Sequence, residues 1–350
     1  MTTPISPAFE RVPETGEAME IAAGVFWIRM PLELTGLDHI NVWLLRDYTG
    51  WAIVDTGMNS ALIREQWDAI IDRYCEGRPL KRVVCTHFHP DHMGLAGWLQ
   101  QKTGCHLLST RLEWLMGRML YLDAQPEVPA FVLDHYRRVG MEEGHLEEVR
   151  RFFHNRYRDM VAPIPEHYVR MQERDVLTIG DHEWWVIVGT GHAPEHACLY
   201  SRELNMMISG DQILPKITPH IGVYPAEAEA NPLQEYLDSI ERFRMLPEDV
   251  LVLPAHNEPF YGLHTRIDAL AEHHDQRLID LETTLAEPRP AVATLDALYR
   301  RELAEHERVL GVGEALAHLN CLIEQGRVMR QADDDGRWSY HRTNAAPHAA

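Results

Sequence analysis

The segment THFHPDHMG, residues 86–94, places His87, His89, Asp91 and His92 within a span of six residues. Such a cluster is either an exposed polar turn or a set of metal ligands, and its setting favours ligands. The apolar run RVVCTH leads into it as a strand, and GLAGWLQQ opens a helix behind it. The cluster therefore falls on a loop at the carboxyl end of a strand, where α/β folds place their chemistry. Imidazole and carboxylate together suit zinc, and iron or manganese as well. The spacing H-x-H-x-D-H sends His87 and His89 one way from a tight loop and Asp91 and His92 the other. Two cations could share the loop, but one loop does not complete two coordination shells. Further ligands must come from elsewhere.

Three candidates appear, each after an apolar strand: His192 in VIVGTGHAPEH, Asp211 in MMISGDQ and His256 in VLVLPAH. Alone, a strand-end His or Asp is more often a cap or a surface group than a ligand. Four such strand ends in one chain are another matter, because the strand ends of an α/β sheet converge in space.

The hydrophobic pattern gives the rest of the organisation. IAAGVFWIRM, INVWLLRD and WAIVDTG read as strands, the last ending in Asp55-Thr56-Gly57. Ile63, Trp67, Ile70, Ile71 and Tyr74 repeat at helical spacing. Residues 111–174 have another texture: Leu112, Leu115, Met116, Met119 and Leu120 form a helical stripe, and His135 to Tyr168 reads as mostly helical. This block is a helical insertion, either a packed layer or a lid over the site. Strands resume at DVLTIG, HEWWVIVGTG, HACLYSRE and MMISGD, followed by a helix near 232–245 and the strand VLVLPAH. Beyond Gly262 the pattern predicts helices at 264–285, 293–306 and 312–325, with Gly326 closing the last. RVMRQADDDGRWSYHR then reads as a hairpin turning at Asp335-Gly336. The expected division is 1–262 for a catalytic domain, 263–343 for a winged-helix-like domain and 344–350 for a flexible tail.

Composition narrows the function. The formal charge is −20, and lysine occurs only at 81, 102 and 216. Residues 264–350 carry ten Arg against fifteen acidic residues, and 111–174 ten Arg against eleven. Nothing there tracks a phosphate backbone, so nucleic acid is not an expected partner, and the carboxy-terminal part is expected to pack or dimerise. The five cysteines, Cys75, Cys85, Cys105, Cys198 and Cys321, show neither zinc-ribbon nor redox spacing. No run approaches the roughly 18–20 apolar residues of a membrane span, and the amino terminus lacks the layout of a secretory signal. A cytoplasmic protein with a small-molecule substrate is expected.

Asp55-Thr56-Gly57, the His87–His92 cluster, Gly191-His192, Gly210-Asp211 and His256, in this order, resemble the metallo-β-lactamase superfamily, hydrolases with an αββα sandwich. The resemblance covers roughly residues 20–262. It implies that His87, His89 and His192 hold one divalent metal, that Asp91, His92 and His256 hold the other, and that Asp211 bridges the two. Asp55 would be a supporting residue. HTRIDALAEHHDQRL followed by the hairpin looks like the extension of lactamase-beta-like hydrolases, some of which are endoribonucleases.

Two metals roughly 3.5–4 Å apart turn a bridging water into hydroxide near pH 7 and polarise the oxygen of the bond attacked. Asp91 is then a ligand that also orients the hydroxide. An alkoxide leaving group calls for an acid, and a thiolate hardly does, since a thiol has a pKa of about 8.5. Tyr224, Tyr261, His196 and His220 are the candidate acids, each with a structural reading as good. The leading expectation is therefore a thioesterase of the glyoxalase II kind, with phosphodiester or lactone hydrolysis as the alternatives. Lys216 and His220 are candidates to contact an anionic end of the substrate, and Glu195 and His196 to support the ligands.

Overall fold

The computed structural model describes residues 3–34, 36–125, 127–153, 156–299, 301 and 303–343. The tail expected at 344–350 lies outside them. The chain forms two compact units. The first gathers Met1–Ala124, Tyr157–Pro219 and Ile240–Ile267, and the second Gln125–Arg156, His220–Ser239 and Asp268–Ala350. This differs from the linear division at residue 262. Of the block 111–174, only residues 125–156 belong with the carboxy-terminal segment.

The first unit is built on two seven-stranded sheets. One runs in the order Ala18–Ala22, Val25–Leu34, Leu37–Asp47, Gly50–Val54, Leu80–Val84, His106–Ser109, Val169–Arg170. Its last four strands are parallel. The other runs Ser6–Pro7, Phe260–Tyr261, Leu251–Pro254, Met206–Gly210, His196–Ser201, His182–Gly189, Val176–Ile179, with Met206–Gly210 and Leu251–Pro254 parallel.

Alternation decides which face each residue joins. Phe26, Ile28, Trp51 and Ile53 point to one face and pack against Ile63, Trp67 and Ile70 of the helix Ala61–Tyr74 and Ala96 and Leu99 of the helix Ala96–Thr103. Val25, Trp27, Trp43, Ala52 and Val54 point to the other face and meet Trp184, Val186, Leu199, Ile208 and Leu253 of the second sheet. Strands covered on both faces read as near-continuous apolar runs, which is why INVWLLRD and WAIVDTG lack a polar side. Five tryptophans, at 27, 43, 51, 67 and 184, are fully buried, each removing a large apolar surface from water.

Several elements depart from the sequence expectation. IAAGVFWIRM is two strands, broken at Ala23-Gly24, where Gly24 turns with φ +76°. The strands His106–Ser109 and Val169–Arg170 and the edge pair Ser6–Pro7 and Phe260–Tyr261 are too short to leave a clear alternation in the sequence. Between His135 and Tyr168 the helices end at Met160. The helices expected at 293–306 and 312–325 are instead a short turn of helix at Leu295–Leu298 and one long helix, Glu305–Glu324. Gly311 falls in the gap between the two expected helices and Gly313 inside the second. Within the helix they allow close packing: a Cβ on Gly313 would sit 3.2 Å from the Val223 carbonyl oxygen, and one on Gly311 3.0 Å from Leu303. The hairpin Val328–Ala332 with Trp338–Arg342 follows as expected, its turn closed by the Asp333 carboxylate accepting the amides of Asp335 and Arg337.

Candidate metal centre

The candidate ligands, and Asp55 that supports them, follow strand ends. Asp55 comes directly after Gly50–Val54 and Asp211 directly after Met206–Gly210. His87 lies three residues beyond Leu80–Val84, His192 three beyond His182–Gly189 and His256 two beyond Leu251–Pro254. The sheets therefore deliver side chains from five strands to one place.

The His87–His92 loop is held from behind. The Asp55 carboxylate accepts the Thr86 amide at 2.8 Å, the Thr86 hydroxyl, and His92 Nδ1 at 2.8 Å. Thr56 Oγ1 donates to the His92 carbonyl at 2.7 Å and accepts the Leu95 amide at 2.9 Å. Asp55 holds φ +61°, a left-handed conformation that Asp tolerates better than most side chains.

These bonds fix which ring nitrogen faces the site. His92 gives its Nδ1 proton to Asp55, and His256 gives its own to the His39 carbonyl at 2.8 Å. Both are left with Nε2 inward. His196 Nε2 accepts the Asp211 amide at 3.1 Å, and its ring stacks on His87 at 4.7 Å between centroids. Gly210, with φ +51°, has no room for a side chain: a Cβ would lie 2.6 Å from the His196 ring.

Two groups of potential ligand atoms result. His87, His89, His192 and Asp211 form one, and Asp91, His92 and His256 the other, with the atoms of each group within 4.8 Å of one another. His87 Nε2 lies 2.9 Å from His89 Nδ1 and 3.2 Å from His192 Nε2. Asp211 reaches both groups: Oδ2 is 3.5 Å from His192 Nε2 and 3.5 Å from His92 Nε2, and Oδ1 is 3.4 Å from His256 Nε2. Asp91 Oδ2 is 3.4 Å from His256 Nε2 and 3.5 Å from His92 Nε2.

The donor set fits divalent cations. His92 Nε2, His256 Nε2 and Asp211 Oδ1 are buried and form no hydrogen bond, a costly arrangement for polar groups unless a cation takes them up. Burial, then the neighbouring imidazoles, push His87 well below the usual range, which leaves it neutral with a lone pair to give. Burial also opposes charge on His92 and His256. The Asp91, Asp55 and Asp211 carboxylates nevertheless hold His92 well above its usual range, and Asp211 and Asp91 raise His256 to about 10. A bound cation takes the place of those protons.

Of the supporting residues expected, Asp55 and His196 contact the ligands directly. Glu195 caps a helix: its carboxylate accepts the Leu112 amide, at the start of Arg111–Leu122, at 2.9 Å. Lys216, expected to meet an anionic substrate, lies at the surface with its ammonium 2.7 Å from the Glu258 carboxylate. His220 and Tyr224 belong to the second unit, and Tyr261 is on the strand next to the sheet edge, paired with Ser6 of the edge strand.

Two contributors escape a reading of the sequence. His39 turns His256 through a backbone carbonyl, and a carbonyl leaves no residue-type signature. Glu113 is wholly buried, and its carboxylate accepts the amides of Phe88 at 2.9 Å and Glu195 at 2.6 Å. Burial raises its pKa to about 7, against the pull of those two amides. Thr110-Arg-Leu-Glu113 has the T-x-x-E pattern of a capping box. Thr110 and Glu113 instead turn outward, Thr110 Oγ1 donating to the Glu195 carbonyl at 2.7 Å.

Known proteins agree with this architecture. The model of the metallo-beta-lactamase superfamily matches residues 35–256, and that of the metallo-beta-lactamase-like C-terminal domain matches 278–343. The crystal structure of a beta-lactamase domain protein from Burkholderia ambifaria is 40% identical, covers 97% of this chain and 98% of its own, and superposes with a TM-score of 0.90. The metallo-beta-lactamase family protein TTHA1429 from Thermus thermophilus is 25% identical, with a TM-score of 0.78 over 93% of this chain and 100% of its own. The probable metallo-hydrolase YqjP of Bacillus subtilis (strain 168) is 24% identical over 309 residues, 85% of this chain and 92% of that protein. The acyl-coenzyme A thioesterase MBLAC2 of Gallus gallus is 26% identical over 197 residues, 55% of this chain and 64% of that protein. With the family match extending over more than half its length and the His/Asp groups gathered at the strand ends, the chain belongs to the metallo-beta-lactamase superfamily of hydrolases.

Proposed function

We propose that this chain is a binuclear metal-dependent hydrolase of thioesters or related acyl esters. His87, His89 and His192 hold one divalent cation, Asp91, His92 and His256 the other, and Asp211 spans both. The observation that carries the reading is the position of Asp211, whose two oxygens face the two imidazole groups at 3.4–3.5 Å. When bound, the cations supply Lewis acidity and a water acidic enough to ionise near pH 7. The chain's residues do the rest. Asp91 would be a ligand that also orients the hydroxide, while Asp55 and the His39 carbonyl keep His92 and His256 in the tautomer that faces inward.

The thioester preference rests on the leaving group. His196 offers no free acid, since its Nε2 accepts the Asp211 amide and its Nδ1 lies 3.7 Å from Cys198 Sγ. A thiolate departs without a proton donor. The acyl-coenzyme A thioesterase among the relatives supports the same chemistry. The acidic balance of the chain favours a small-molecule substrate over a nucleic acid.

The test is a purified-protein screen across acyl thioesters, lactones and aryl phosphodiesters, with metal content measured on the same sample. Turnover of thioesters above the other two classes, with close to two metals per chain, is the expected result. Phosphodiester turnover without thioester turnover would replace this reading.

A further inference from the structure

We infer that Glu113 is a positioning residue that sets the spacing of the two ligand-bearing loops. The inference rests on the ligand assignment proposed above, and it concerns a residue with no place among the ligands. Glu113 stands in the first turn of Arg111–Leu122. Its two carboxylate oxygens accept one amide each, from Phe88, between His87 and His89, and from Glu195, between His192 and His196. The three imidazoles of one ligand group are thus carried by two loops pinned to a single carboxylate. The second loop is pinned a second time, because Thr110 Oγ1 holds the Glu195 carbonyl and the Glu195 carboxylate holds the Leu112 amide. A helix start that could cap itself gives its hydroxyl and its acid to the loops instead.

The need is geometric. His87 Nε2 lies 2.9 Å from His89 Nδ1 and 3.2 Å from His192 Nε2. In the metal-free protein each pair can share one proton as an N–H···N hydrogen bond, and a cation must displace that proton without separation of the loops. Two backbone amides bound to Glu113, one at each oxygen, oppose that separation. An oxygen is needed at both ends: glutamine presents one acceptor and turns an amide N–H toward the other backbone N–H.

The experiment compares wild type with Glu113→Gln and with Asp47→Asn. Asp47 is likewise a buried carboxylate that accepts two backbone amides, those of Tyr48 and Gly180, but it pairs with Gly50 at the opposite end of the strand from Asp55. Zinc affinity is measured by chelator competition, and the unfolding temperature is measured on metal-free protein. Outer hydrogen bonds to ligand loops typically support metal affinity about 10- to 100-fold. Glu113→Gln is expected to weaken zinc by about that factor, and Asp47→Asn to lower the unfolding temperature with zinc affinity within about twofold of wild type. Equal affinity of Glu113→Gln and wild type overturns the inference, as does an equal loss in Asp47→Asn. Amide exchange on metal-free wild type keeps the test decisive if Glu113→Gln does not fold. Slow exchange at Phe88 and Glu195 is expected, and unprotected amides there overturn it. A wild type that binds no zinc removes the ligand assignment itself, whereas a wild type that binds zinc no more tightly than the variant removes only the role of Glu113.

Discussion

The Asp55 carboxylate accepts a hydrogen bond from His92 Nδ1 at 2.8 Å, although Asp55 is itself no member of either ligand group. The same carboxylate receives the Thr86 amide and hydroxyl, so one acid fixes the entry to the ligand loop and the ring at its far end. Asp55→Asn separates this role from the backbone, since Asn tolerates φ +61° as Asp does. It leaves one donor without an acceptor and allows His92 to turn. A loss of turnover of about 10- to 100-fold, with reduced metal content, is expected. Full metal occupancy and unchanged turnover in the purified variant would show that His92 needs no such partner.

Gly210→Ala tests how closely the ligand loops are packed. The residue holds φ +51°, and a Cβ there would meet the His196 ring at 2.6 Å and Thr86 Cβ at 3.2 Å. The His196 ring must shift, and it carries the Asp211 amide and the face of His87 with it. Loss of metal together with about 1–3 kcal/mol of stability is expected. Gly336→Ala is the control: it has φ +77° but nothing within 4 Å, so the backbone strain alone should cost about 1 kcal/mol, with metal content unchanged. Denaturant unfolding and metal analysis on both variants decide the matter.

Much of this site is legible in the sequence because both of its signals are local. An apolar run ending in His or Asp marks a strand end, and the HFHPDH spacing marks a ligand loop. Asp55, His192, Asp211 and His256 stand out in that way. Glu113 does not, because T-x-x-E at the start of a helix describes self-capping equally well, and only the fold shows where the side chains turn. His39 acts through its carbonyl, which any residue could supply. The association of residues 125–156 with the carboxy-terminal segment depends on contacts between distant stretches, which periodicity does not record. Gly311, in the gap expected between two helices, lies within one for a related reason: glycine in a helix and glycine at a break look alike until the neighbour at 3.0 Å is known.

His135 gives the second unit a pH dependence with a definite sign. Its ring is buried beside Tyr136 and faces Trp338, and burial, aided by the Arg138 charge, lowers its pKa to about 4. The unfolded residue binds a proton below about pH 6.5, and the folded one only near pH 4. Between those values the unfolded state holds more protons, so stability rises with pH across the window and is complete above it. The contribution is up to about 3 kcal/mol, lost as pH falls from 6.5 to 4. His135→Gln should flatten that part of the stability profile, measured as the difference between variant and wild type in denaturant unfolding of metal-free protein. An unchanged slope would mean that the ring is charged or solvated in the folded state.

Chelation provides the broadest check, because it acts on the whole donor set. His92 Nε2, His256 Nε2 and Asp211 Oδ1 are buried without hydrogen bonds, so a cation that binds them binds the folded chain and not the unfolded one. Mass action then sets the gain at about 2.7 kcal/mol for a hundredfold excess of free metal over Kd. Stripped protein should unfold at a lower temperature, and zinc should restore it in proportion to the logarithm of free metal. Because Asp211 faces both groups, the first equivalent should prepare the second site by fixing that carboxylate, and turnover should lag behind stabilisation until both are filled. The two curves come from one titration, read by thermal unfolding and by hydrolysis of the best substrate. Full turnover at one equivalent would point to a single working cation and leave Asp211 as a ligand to that one alone.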